Sequence, residues 1–77
     1  MQKFTGLYRG TVIDSADPLH KRRIRVQVPD VSASDLGWAA PCVPVRSTAN
    51  PTVGTGVWVM FEAGDPTYPV WIGTFPT

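Results

Sequence analysis

Histidine and cysteine are almost missing from this chain of 77 residues: there is one His20 and one Cys42. A single thiol excludes an intrachain disulfide. Two soft ligands are too few for structural zinc, which takes four. His20 has no cysteine or carboxylate at ligand spacing and reads as a surface residue. Cys42 has no histidine at a catalytic spacing, so it is expected to be a buried, inert thiol. The lone thiol fits a reducing compartment. An excess of one charge is missing too. Seven basic residues face six acidic ones, for a net charge of +1. No strong field for nucleic acid or membrane follows from that balance. No N-terminal apolar run with a basic flank indicates a signal peptide. No stretch approaches the roughly 18 apolar residues of a membrane-spanning helix. Long amphipathic helical spacing, internal repeats and interdomain linkers are also lacking.

What the chain does have is proline (8), glycine (7) and many valines and threonines. That composition favours strands and tight turns over helices. The length predicts one domain over residues 1–77. A domain this small buries only roughly 60% of its unfolded surface and is marginal alone. Without disulfides or metal, oligomerisation or a partner is the remaining source of stability.

About five strands are predicted. The first covers residues 7–14, where Gly10 is expected to mark a bulge or a barrel corner. A turn centred on Asp17-Pro18 follows over residues 15–21. Residues 22–28 show the clearest alternation: Ile24, Val26 and Val28 point inward, and Arg23, Arg25 and Gln27 outward. Residues 30–37 form a polar loop that supports one helical turn at most. Residues 38–45 make a third strand. Pro41 and Pro44 cannot donate ladder hydrogen bonds, so it is expected to be an edge or interrupted strand. A second loop spans residues 46–56. Five short strands with a glycine-bent first strand point to an all-β, five-stranded Greek-key barrel of the OB type.

The last third is two apolar strands joined by a polar loop, and neither strand alternates apolar with polar residues. Val57, Val59 and Phe61 oppose Trp58 and Met60; Val70 and Ile72 oppose Trp71. Both faces therefore look buried, and 77 residues cannot bury both sides of a hairpin. Either set can line the barrel. The favoured arrangement places Val57, Val59, Phe61 and Ile72 inside, with Trp58, Met60, Trp71 and Phe75 on an outer strip that meets a partner. Large exposed apolar strips mark interfaces, and Trp is enriched at their hot spots.

Other candidate chemistry is weaker. His20-Lys21-Arg22-Arg23-Ile24-Arg25 is the one basic cluster. With Trp38, Trp58, Trp71, Tyr8 and Tyr68 for stacking, it outlines a single-stranded nucleic-acid-binding OB module. The near-zero net charge disfavours that reading against a solvated turn or a salt-bridging partner face, in which Arg23 and Arg25 join the interface set. Asp14 and Asp17 flank a tight turn, where aspartate caps its own backbone, so they are not read as an acid–base pair. Asp65-Pro66 is a turn device with Gly64 free to take positive φ. Gly54 and Gly56 precede no helix, which argues against a phosphate loop. No catalytic constellation, cofactor site or metal site is indicated.

The ordered set of motifs carries a resemblance. Asp17-Pro18 leads to Ile24-Arg25-Val26-Gln27-Val28-Pro29, then Trp38-Ala39-Ala40-Pro41, Pro51-Thr52-Val53-Gly54 and Val57-Trp58-Val59-Met60-Phe61-Glu62. Gly64-Asp65-Pro66 and Pro69-Val70-Trp71-Ile72-Gly73 close the series. From about Gly6 to Phe75 the chain resembles the OB-fold domain of baseplate spike proteins from contractile-tailed phages and related injection systems. The resemblance implies a structural, non-enzymatic virion protein, made in the host cytoplasm. It implies a trimeric collar that joins the tail hub to the spike. The implied partners are other copies of the chain and the hub, spike or needle proteins, with no membrane insertion by this chain. Relatives continue into a β-helical needle, sometimes with a lysozyme domain between. The sequence to Thr77 contains neither, nor a repeated valine–glycine pattern. The expected role is therefore a stand-alone collar or adaptor, a minimal form with a separate needle, or a ring elsewhere in the hub.

Overall fold

The computed structural model describes residues 3–19, 21–32, 34–43 and 51–76. Five strands close into one barrel: β1 (Tyr8–Asp14), β2 (Ile24–Gln27), β3 (Trp38–Pro41), β4 (Gly56–Phe61) and β5 (Pro69–Phe75). Their order around the barrel is β1-β2-β3-β5-β4. Antiparallel β1–β4 pairing closes it, and β3 and β5 run parallel. The only helical piece among the described residues is a 3-10 turn at Glu62–Gly64.

Strand β2 follows its alternation. Ile24, Val26 and Val28 are fully buried, while Arg25 and Gln27 face outward. Beyond β2, the amides of Val31 and Ser32 both donate to the Val28 carbonyl, at 2.9 and 3.0 Å. This makes a single turn where a longer helix was excluded. Strand β3 is short but is no edge: it pairs with β2 on one side and β5 on the other. Pro41 donates nothing there, and the ladder continues through the Cys42 amide, which reaches the Trp71 carbonyl at 2.8 Å. The strand ends at Pro41, short of the expected residue 45: Cys42 and Val43 are not strand, and residues 44 and 45 lie outside the described residues.

Gly10 is not a bulge. It pairs in register with Val57, and a Cβ there would meet Val59 Cγ2 at 3.0 Å and the Gln27 carbonyl oxygen at 3.3 Å. Glycine is needed because β1 passes closely over the packed valines. The bulge lies three residues on, at Ile13, where the pairing steps from Val12–Val26 to Asp14–Arg25. The Pro51-Thr52-Val53-Gly54 segment is a turn sewn to β1: Gly54 donates to Val12 at 2.8 Å, and Val12 donates to Thr55 at 3.0 Å.

The core is Val12, Ile24, Val26, Val28, Ala39, Val57, Val59, Phe61 and Trp71. Phe4, Tyr8 and Phe61 close one end, with ring centroids 5.6–6.1 Å apart. One expectation about the hairpin is overturned. Trp71 lies inside, 4% exposed, and Ile72 does not. Trp58 pairs with Gly73, but Val59 pairs with Trp71, so Ile72 is an extra residue on β5. Side chains in a strand alternate faces, so one inserted residue inverts everything beyond it. Phe75 and Trp71 have the same parity in the sequence and opposite faces in the barrel.

Candidate assembly surface

The barrel interior is filled from within, yet β4 and β5 also carry apolar side chains outward. Trp58 and Phe75 are half-buried against each other, with ring centroids 4.8 Å apart. Met60 is 41% exposed and pairs with Val70. Ile72, displaced by the bulge, is half-buried. Arg9 faces Trp58 across the β1–β4 ladder, and its guanidinium lies 5.3 Å from the Trp58 ring and 5.3 Å from the Phe75 ring. The result is an apolar outer strip of Trp58, Met60, Val70, Ile72 and Phe75 with a cation laid over its aromatic end.

The structure thus brings Trp58 and Phe75 together with Met60 on one face, and removes Trp71 from it. The Trp71 indole N–H donates inward to the Arg22 carbonyl at 3.2 Å. Arg23 and Arg25 stand elsewhere, on β2 and the turn before it. They flank Trp38, with guanidinium carbons 5.5 and 6.0 Å from its ring. Arg25 also pairs with Asp35. Sequence reasoning missed Arg9, Val70 and Ile72. Arg9 was legible as an outward residue from the inward Gly10 and Val12, but its partner ring depends on the β1–β4 register.

Arg23 belongs to a lock around Asp17. Asp17 is the one buried polar or charged residue among the described residues. It accepts from the amides of Leu19, Lys21 and Arg23 at 2.9, 2.9 and 3.2 Å, and from Arg23 Nε and Nη2 at 3.0 and 2.8 Å. The Arg23 side chain first, then the three amides, hold its pKa far below the ordinary 3.8 despite burial. This is a turn cap carried to its limit, since a carboxylate with every lone pair occupied has none left for substrate. Asp14 likewise caps Ala16 at 2.9 Å. Asp65 caps Thr67 at 2.9 Å, which lowers its pKa. Gly64 takes φ +74°, as that turn requires. Cys42 is exposed, contrary to expectation, because its amide completes the β3–β5 ladder while its side chain is left on the solvent side. His20 lies outside the described residues. Among the described residues no group of three or more His, Cys, Asp or Glu is placed to hold a metal ion, and no helix is long and apolar enough to cross a membrane.

A five-stranded closed barrel in this order is an OB fold. The model of the type VI secretion system/phage-baseplate injector OB domain matches residues 8–75, and the chain belongs to that family. Its role is accordingly that of a structural domain of an injection-machine baseplate, associated with other baseplate or tail proteins. No curated protein matches the chain significantly.

Proposed function

We propose that this protein is a non-catalytic collar or adaptor in the hub–spike complex of a phage tail or related injection machine, self-associating as a closed ring, with three copies as the natural number. The observation that carries this is the outer strip of Trp58, Met60, Val70, Ile72 and Phe75 on a barrel whose own core is already full. Water-facing apolar strips of this kind mark protein interfaces, and cyclic closure leaves no unsatisfied copy of the contact at either end. The family supplies the setting, and hub, spike or needle proteins are the other partners. Nucleic-acid binding is the poorer reading. Arg23 and Arg25, the arginines nearest a stacking ring on the β2–β3 face, are each paired with a carboxylate.

Light scattering coupled to size-exclusion chromatography tests the proposal. The wild type should run as a discrete trimer, and Trp58→Asp should dissociate it while its circular dichroism stays that of a folded barrel. A monomer at every concentration, or a monomer whose elution shifts only on adding single-stranded oligonucleotide, would sink it.

A further inference from the structure

The outer hairpin surface carries charges of opposite sign at two different places. Arg9 lies over Trp58 and Phe75 on the broad face. Glu62 is exposed at the tip, where β4 ends and the 3-10 turn begins. Neither forms an ion pair with a described residue. Glu62 donates its amide to the Tyr68 carbonyl at 3.0 Å, and Tyr68 is 57% exposed. The tip therefore presents the Glu62 and Asp65 carboxylates and an aromatic residue together, with the Lys3 ammonium beside them on the Ala63 carbonyl at 3.5 Å. Arg9 pairs across from Trp58, and Glu62 follows Trp58 by four residues, roughly 13 Å of extended strand. The folded chain keeps the two charges apart, so each is free to meet the other's counterpart on a second copy.

We propose that the hairpin tip of one copy docks on the Arg9–Trp58–Phe75 surface of the next, with the Glu62 carboxylate on the Arg9 guanidinium and Tyr68 against the apolar strip. The proposal rests on the self-assembly reading above and supplies its contact. Two different patches of one chain meeting head to tail form a heterologous interface, and such interfaces build rings when the rotation closes. Complementary charge at the rim sets the register, and the apolar strip supplies contact area.

The test is charge reversal in the full chain, read by sedimentation velocity across concentration. Arg9→Glu and Glu62→Arg should each weaken association about tenfold or more, because each places like charges in contact. The double variant carrying both reversals should recover wild-type association. Both residues are exposed, so each variant should keep the circular dichroism of a folded barrel, with Arg9→Glu losing only the cation–π contact to Trp58 and Phe75. Wild-type association should also weaken between 0.1 and 1 M salt, as the screening length falls from about 10 to about 3 Å. The contact is overturned, and the ring reading kept, if the wild type assembles and the single reversals assemble equally well. The same holds if the double variant is no better than the singles. A wild type that stays monomeric overturns both.

Discussion

Replacing Trp71 by alanine should cripple the fold, whereas the same change at Trp58 should not, although the sequence puts both in equivalent hairpin strands. Trp71 is 4% exposed, packs in the core beside Val59, and holds the Arg22 carbonyl with its indole N–H at 3.2 Å. Truncating a buried aromatic to alanine costs about 3–5 kcal/mol through lost burial and the cavity left behind. The indole hydrogen bond to the Arg22 carbonyl is lost as well. A chain of 77 residues has roughly 4–12 kcal/mol of total stability. Trp71→Ala therefore removes a large fraction of it, and at about 4–8 °C per kcal/mol the melting temperature should fall by roughly 12–40 °C. Trp58→Ala loses a stacked ring and a cation–π contact on the outer face, about 1–2 kcal/mol. Urea titrations followed by circular dichroism at low micromolar concentration, where assembly contributes least, measure both. Equal losses at the two sites, or a Trp71→Ala loss near 1 kcal/mol, would show that the bulge at Ile72 does not turn Trp71 inward.

Three further outcomes are expected. Gly10→Ala should cost about 1–3 kcal/mol by overpacking, because the new Cβ meets Val59 and the Gln27 backbone at 3.0–3.3 Å; an unchanged urea midpoint would contradict that close approach. Val26→Ala should cost about 1–3 kcal/mol by burial and cavity loss, read the same way, and a neutral result would refute the inward register of β2. Asp17 has a folded pKa held below its unfolded value, so its contribution is complete above the ordinary carboxylate range near 3.8 and is lost as pH falls below it. The melting temperature should therefore drop on acidification from pH 5 toward pH 2, and Asp17→Asn should be less stable at neutral pH with a flatter acid limb; an acid limb as steep as that of the wild type would show that Asp17 does not carry the effect.

Much of this barrel was written in local chemistry. Alternation in Ile24-Arg25-Val26-Gln27-Val28 depends on nothing beyond the strand's own period, so its inward set could be read directly. Asp17-Pro18, Gly64-Asp65 and Pro51-Thr52-Val53-Gly54 announce turns because aspartate caps, proline rigidity and glycine at positive φ act over a few residues. The two-sided hairpin announced an apolar outer strip, and the ordered motifs announced the family. Pairing decided the rest. Gly10 looked like a corner, but it is a point of close approach set by Val59 on another strand. Trp71 and Phe75 share a parity, and only the register of β5 against β4 shows the extra residue that sends one ring into the core and the other out beside Trp58. Arg9 joins the assembly surface because closure of β1 on β4 sets it opposite Trp58, 49 residues away in the chain. A strand's own period says which side chains share a face; bulges and partners, which are properties of two strands at once, say which face that is.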